Sequence, residues 1–414
     1  MRTVGTSPSA HRSSGRGNHH QLSMPPTPTP TLRARTVSPV AMKHAAVKAG
    51  TVALLGVLPL FALFLVVGDL LAGDAGWAFR EAFLGAAQAV LDGESPYPTG
   101  VDDPDFQRGV GYVYPPVMAF VTVPFTVFST DVAVGLFALI LIATVPATLA
   151  LCGVRDWRCY GLAFLWPGVL SGVHVENISL LMALGCALVW RYRDRPLASG
   201  VGLGVAMAVK PLLWPLGIWL LATARLRAVA WGVLVALMLG LGTWAAIGFD
   251  GLRRYPTLLR ELSSGADEWG YSLFPLALDL GAGHSVARAL WLLLAVGVLV
   301  AAVVVARRGD ERSAFVLAVA AVIAVSPIVW LHYFSLLLVV VAVAQPRLGL
   351  VWFAPLLMWG SEEITNGTTF QTALTLAAAV LTVLLALRAC AATQLLARPA
   401  VRAPATTPPV GQSP

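Results

Sequence analysis

The sequence predicts an all-α, polytopic membrane protein of about twelve transmembrane helices, and three observations carry that reading. Apolar residues fill 57% of the 414 positions and charged residues only 12%, against roughly a quarter charged in soluble domains. Mean hydropathy is +0.76. Runs rich in Leu, Ala and Val recur from about residue 50 to about residue 390, so the bilayer is the solvent for nearly the whole chain. A transmembrane barrel would show alternating segments of about ten residues instead.

The net charge of +7 sits mainly in short connectors, where it sets orientation, and implies no nucleic-acid partner. Cys152, Cys159, Cys186 and Cys390 lie in or beside apolar runs without a CxxC pair. Neither a disulfide framework nor a zinc site is expected of them.

Taken in order, residues 1–45 are rich in Pro, Ser, Thr, His and Arg, lack large apolar side chains and carry only basic charge. They are expected to be a disordered cytoplasmic tail, and His11, His19 and His20 solvated rather than metal-bound. Residues 46–391 form the transmembrane domain, and 392–414 a second disordered cytoplasmic tail. The first span, roughly 50–68, delivers Asp69 to the outer face. The polar stretch from Asp69 to Pro116 follows, with a short amphipathic helix over Trp77–Leu91 that could lie along the interface. ESPYP and YVYPP within it form turns, since each Pro removes a donor and restrains its predecessor.

Further apolar segments fall at roughly 114–129, 132–153, 159–173, 176–190, 196–209, 211–223, 228–249, 285–306, 313–330, 332–344, 348–359 and 371–389. Arg191–Arg195, Arg225, Arg227, Arg307, Arg308, Arg312, Arg347 and Arg388 share one side if the later segments all cross. Arg155 and Arg158 fall on the other side if both 114–129 and 132–153 cross. One short segment is therefore expected not to be a full crossing, chosen among 114–129, 159–173 and the two pieces beside Lys210.

Ionisable groups at membrane depth are costly and mark candidate sites. On the outer side this topology gathers His174, Glu176 and Asn177 of HVEN, Lys210, the loop Asp250–Tyr271, His332, Tyr333, Glu362 and Glu363. Lys210, in AMAVKPLLWP, has no acid nearby in sequence; it could hold a phosphate as a compact charge, pair with Glu176, or snorkel to the interface. The loop with Arg253, Arg254, Arg260, Trp269 and Tyr271 reads equally as a lipid-phosphate surface and as an ordinary connector. Asp102, Asp103 and Asp105 lack the Gly and later Glu of a calcium loop and read as a solvated turn.

The ordered set FREAFLGAAQAVLDGESPYP, YVYPPVMAFVTVPF, SGVHVENISLLMAL, GVGLGVAMAVKPLLWPLGIWLL and SPIVWLHYFSLLL, over roughly residues 69–345, resembles glycosyltransferase family 87. These are polyprenol-phosphate-mannose-dependent mannosyltransferases of the GT-C class. The resemblance implies a GT-C-like bundle in the plasma membrane with an outward-facing site. It implies inverting transfer of a hexose, mannose, from a polyprenyl monophosphate sugar to a cell-envelope glycolipid or lipoglycan, without nucleotide, obligatory metal or other cofactor. It further implies an acid in the first outer loop as general base and cationic groups holding the leaving lipid phosphate. The acid expected just before the Phe-Arg pair falls on Ala78. Asp74, one helical turn earlier, is favoured in its place over Glu81 and Asp69. Substrate contacts are assigned to Lys210, His332, Tyr333, Glu176 and Asn177, with Tyr97 of ESPYP and Tyr114 of YVYPP; His332, at the start of a span, reads equally as an interfacial histidine. Alternatives are another lipid-linked sugar such as a pentofuranose, a non-catalytic relative, or an envelope-lipid transporter; the last should show paired broken helices in two halves, and only the Lys210 break stands out.

Overall fold

The computed structural model describes residues 39–100, 102–108, 111–264, 270–361 and 367–397. Most of both expected tails, Trp269, Glu362 and Glu363 lie outside them, as does the side chain of Asp105. All regular structure among the described residues is helical. Contacts divide the chain after Lys48, inside its first helix, and the fold below is that of residues 49 onward.

The helices, in chain order, are α1 (Met42–Ala72), α2 (Leu84–Leu91), α3 (Pro116–Val127), α4 (Thr130–Leu151), α5 (Trp157–Ala163), α6 (Pro167–His174), α7 (Ser179–Arg191) and α8 (Pro196–Val209). There follow α9 (Pro211–Ala222), α10 (Leu226–Ala246), α11 (Tyr255–Ser264), α12 (Leu273–Asp279), α13 (His284–Arg307), α14 (Glu311–Ala324), α15 (Leu331–Ala344), α16 (Leu350–Gly360) and α17 (Thr369–Ala397). Five of them, α1, α4, α10, α13 and α17, are long and apolar enough to cross a membrane; six more, α3, α7, α8, α9, α15 and α16, are apolar but shorter. Proline explains much of the shortness. Pro167, Pro196 and Pro211 each stand at or near the first position of a helix, where a missing N–H costs nothing.

Chain direction gives the bundle two distinct ends. At one end Arg225 donates to both carboxylate oxygens of Glu311 (2.9 and 3.0 Å) and to Asp194 (3.0 Å), clasping the turns after α7 and α9 to the start of α14. Following α7, α8, α9, α10 and α14 away from this clasp leads to Asn177, Lys210, Pro211, Trp244 and Val325, all at the opposite end. The end of α1 and the start of α4 also lie there, because Arg80 donates to the Leu70 carbonyl (3.2 Å) and to Asp131 (3.0 Å). Since Pro115 and Asp131 share that end, α3 turns back instead of crossing. This returns Arg155 and Arg158 to the end that holds Arg193 and Arg225, and removes the conflict among the basic connectors.

The core surrounds α15, whose residues Leu337–Ala344 are buried on every face, between α4, α7, α14, α16 and α17. Helix α8 packs closely against α10. A Cβ on Gly200 would stand 2.5 Å from the Ala228 carbonyl oxygen, and one on Gly204 2.6 Å from that of Gly232, so the two backbones touch as small-residue helix pairs do in membranes. At the basic end Asp156 caps α5, accepting from the Arg158 backbone (3.2 Å) and guanidinium (2.8 and 2.9 Å) and from the Leu348 N–H (3.3 Å). The hydrogen bonds from Arg158 hold its carboxyl down at about 2.

Two stability measurements test this packing. Gly204→Leu should destabilise the protein by about 1–3 kcal/mol, read as a lower unfolding temperature in detergent, whereas Gly240→Ala, with open space around it, should not. Asp156→Ala should cost about 1 kcal/mol at pH 7. A carboxyl held below its unfolded range stabilises above that range and loses the effect as pH falls toward its folded value, so variant and wild type should converge in unfolding temperature as the buffer approaches pH 2.

Candidate functional site

A cavity of about 350 Å³ opens at the end opposite the Arg225 clasp, walled by the Asp69–Pro116 stretch, HVEN, the α8–α9 break and residues 325–333. α11 roofs it. Tyr255, Leu259 and Leu262 line the cavity and Leu258 is buried, while Arg253, Arg254 and Arg260 are exposed. Arg254 is occupied by Asp250 (3.5 Å) and the Thr99 carbonyl (2.9 Å). The loop thus presents an apolar face to the cavity rather than its arginines; apolar spacing of four and three residues at 255, 259 and 262 carries that signal in the sequence.

Lys210 stands where α8 stops. The residue before a proline is driven out of the α region, and Lys210 is extended (φ −150°, ψ 112°) ahead of Pro211. Its ammonium donates to Tyr333 Oη (2.7 Å) and lies 4.3 Å from that ring's centroid and 5.2 Å from that of Tyr114. Among the described residues no carboxylate pairs with Lys210, and none lines the cavity. With 14 residues in α8, Lys210 lies about 20 Å along the axis from the basic end, short of the ~30 Å of a hydrocarbon core. A cation at that depth with only aromatic and phenolic company is poised to take an anion from the cavity.

The tyrosines are held from behind. Tyr97 stacks on Trp244 (5.1 Å, 6°) and donates to the Tyr114 carbonyl (2.9 Å), and Tyr255 donates to that of Val113 (3.3 Å). Asn177 Nδ2 donates to Tyr114 Oη (3.0 Å), while its Oδ1 accepts from the backbone (3.2 Å) and hydroxyl (2.9 Å) of Ser179 at the start of α7. His332, 1% exposed, sits between Trp330 (5.7 Å) and Tyr333 (5.2 Å, stacked). Its Nδ1 and the Trp330 Nε1 are buried without hydrogen-bond partners. Lys210, His332, Tyr333, Asn177 and Tyr114 therefore meet on one cavity, with Tyr97 behind it.

Glu176 is placed differently. It is fully buried in a left-handed turn (φ 58°), neither carboxylate oxygen has a hydrogen-bond partner, and it does not line the cavity. It faces a second left-handed residue, Gly76 (φ 78°), whose N–H donates to the His174 carbonyl (2.8 Å), while Ala78 N–H donates to that of Val175 (3.3 Å). The outer stretch is thereby sewn onto HVEN.

The helix expected over Trp77–Leu91 forms as a π turn (Ala78–Phe83) leading into α2, and it is docked rather than lying free: Phe79 stacks on Phe137 at 4.2 Å and Phe83 meets Tyr114 edge-on at 4.9 Å. Ala78 lines the cavity, so where the resemblance puts an acid the wall carries a methyl group. Asp74 and Glu81 are exposed, Asp69 is 57% exposed and 3.7 Å from His174 Nε2, and none of the three lines the cavity.

A polytopic helical bundle with apolar helices of membrane-spanning length, and a cavity at one end whose only cation among the described residues is Lys210, defines a multi-pass membrane protein with a candidate binding site. The family profile for glycosyltransferase family 87 matches residues 112–332, just over half of the chain, and the protein belongs to that family of membrane glycosyltransferases. No curated protein and no solved structure matches the chain.

Gly76→Ala should destabilise the outer stretch more than Gly73→Ala. Both positions have φ above +75° and share the backbone cost of about 1–3 kcal/mol, but only at Gly76 would a Cβ come within 2.8 Å of Glu176 Oε2. Proteolysis or hydrogen exchange of residues 73–83 that is faster in Gly76→Ala than in Gly73→Ala is the expected readout.

Proposed function

We propose that this protein moves a hexose, mannose, from a polyprenyl monophosphate sugar to a cell-envelope glycolipid or lipoglycan, with inversion, at the outer face of the plasma membrane. The observation that carries this reading is Lys210, a membrane-depth cation without a carboxylate partner among the described residues, on a cavity walled by aromatic side chains. Tyr333, as Lys210's hydrogen-bond partner, Tyr114 and Asn177 complete the polar contacts for the phosphate and the sugar. A monophosphate suits one ammonium reinforced by phenols, and departing phosphate charge is stabilised by groups already in place. Aromatic walls suit the apolar faces of a sugar ring.

The traverses between the two ends support a twelve-pass topology. They run through α1, α4, α5 with α6, α7, α8, α9, α10, α13, α14, α15, α16 and α17, with α3 excluded. The excess of arginine at the clasp end argues that this end and both termini are cytoplasmic, with the cavity outside. On the resemblance, the proton acceptor is an acid of the outer stretch, Asp74 before Glu81 and Asp69. Each would have to swing in from an exposed position to reach a sugar beside Lys210.

Purified protein incubated with labelled polyprenyl-phosphate mannose and an envelope glycolipid fraction tests the reading. Wild type should transfer label, and Lys210→Met should raise the donor KM by about tenfold or more, equivalent to the roughly 1.5–3 kcal/mol of a charge-assisted hydrogen bond. An unchanged donor KM in Lys210→Met would remove the phosphate from this lysine.

A further inference from the structure

A second cavity, of about 270 Å³, lies behind the 325–333 wall, between α13, α14 and α17. Independently of the transferase reading, we propose that it is a slot for one acyl chain of a bilayer lipid, held as a structural part of the protein and separate from the Lys210 cavity.

Three helices turn apolar ridges toward the slot, and no fourth helix meets them. From Ser313 onward α14 is buried except at Leu317, Ala320, Ile323 and Ala324, and all four line the slot. On α17, Leu376, Ala379, Val380, Val383, Leu384 and Leu387 have the three- and four-residue spacing of a helix-packing seam. They face the slot instead of a helix, and Val380 and Leu384 each keep 53% exposure. From α13 come Leu294 and Val298, one turn apart. α13 and α17 flank the slot without packing closely on one another, and it opens sideways between them toward the bilayer.

Size and chemistry select the occupant. Leu376 to Leu387 covers about 16 Å of helix, and a partner helix about 10 Å across would fill roughly 1,200 Å³ over that length, several times the cavity. An extended alkyl chain is a far thinner rod. The lining holds no charged group, and its two hydroxyl-bearing residues, Tyr271 and Ser272, stand together at the end nearest the 325–329 segment. Water finds no partner along the rest, and an apolar cavity left empty forfeits dispersion contacts on every wall. Lipid chains lie alongside the membrane-spanning α13 and α17. One of them, entering sideways, restores those contacts to all three helices.

The slot is closed off from Lys210. Val325 and Ile328 face the Lys210 cavity, while Ile323, Ala324 and Val329 face the slot. The backbone between the two is stitched from α13 and the start of α12: Trp291 Nε1 donates to the Ala324 carbonyl (2.9 Å), Ser272 Oγ to that of Pro327 (2.8 Å) and the Tyr271 N–H to that of Val329 (2.5 Å). A lipid with its phosphate against Lys210 would have to pass its chain through this backbone or around α13. The occupant is therefore a lipid of the surrounding bilayer and not the sugar donor. Val329 and Phe334 line the slot on either side of Trp330, His332 and Tyr333, so the bound chain backs the wall that these three residues present to the Lys210 cavity.

The test uses the full-length protein in phosphatidylglycerol nanodiscs that carry a trace of the same lipid with a diazirine midway along one acyl chain, irradiated and then digested for mass spectrometry. Label should concentrate on residues 317–324 and 376–387, several-fold above α1 and α10, which are as open to the bilayer. Ala320→Phe and Ala379→Phe, each placing a ring in the slot, should lower that labelling about tenfold. Val296→Phe, on an exposed face of α13 outside the slot, should leave it unchanged, as should excess polyprenyl phosphate. Wild-type label spread evenly over α1, α10, α13 and α17 overturns the proposal whether or not a variant folds, and so does full labelling of both filled variants eluting as monodisperse protein. Displacement by polyprenyl phosphate also overturns it, giving the slot to the donor chain. Sugar transfer plays no part in this readout, so an inactive protein bears on the transferase reading alone.

Discussion

A lysine at the end of a helix that stops inside an apolar slab has to find company for its charge, and much of this structure is arranged around the company that Lys210 finds. Proline at 211 ends the helix and turns the lysine outward into the cavity. The Gly200–Gly204 face of α8, locked against α10, fixes the height at which it does so. Neither contact involves substrate. Together they hold a half-buried ammonium on the cavity wall, beside two phenols that give it company without cancelling its charge. A carboxylate in the same position would neutralise the lysine and leave nothing for a phosphate to bind.

The polar side chains around it are organised by the same economy. Asn177 divides its amide between Tyr114 and the start of α7, Tyr97 holds the backbone of Tyr114, and Tyr333 holds Lys210. Each hydrogen bond both satisfies a buried group and sets the direction of the next. Glu176 departs from that pattern, being buried without hydrogen-bond partners beneath Gly76. Its place under the seam between the outer stretch and HVEN makes it part of the wall's support rather than of the wall.

Much of this was legible in the sequence, for reasons that can be named. Helix positions follow from long apolar runs and from prolines at their edges, and the Lys210 break from Lys-Pro within one such run. Lys210, His332 and Asn177 stood out because polar residues are rare at membrane depth. Whether α3 crosses was less accessible, since a twelve-residue apolar segment has the composition of a span and only its packing reveals that it turns back. The roof formed by α11 was hidden by its arginines, which dominate its composition while its three apolar side chains face the cavity. The wall at Ala78 was legible only as a departure from a family pattern. That no carboxylate among the described residues replaces it on the cavity depends on which way Asp74 and Glu81 point, which no sequence pattern states.

The returning course of α3 also bears on how the chain is made. Segments enter the bilayer in the order of synthesis, and α3 emerges before any of the residues that later wall the cavity from HVEN onward. Were it to pass through, each following connector would change sides. Tyr114 and Asn177, hydrogen-bonded in the finished protein, would then be stranded on opposite faces of the membrane. On the proposed orientation, with the clasp end cytoplasmic, the arginines at 155 and 158, arriving soon afterward, would resist translocation and so hold α4 to the crossing and α3 to the cavity end. The geometry of the site would then be settled during insertion, before its last wall has been synthesised.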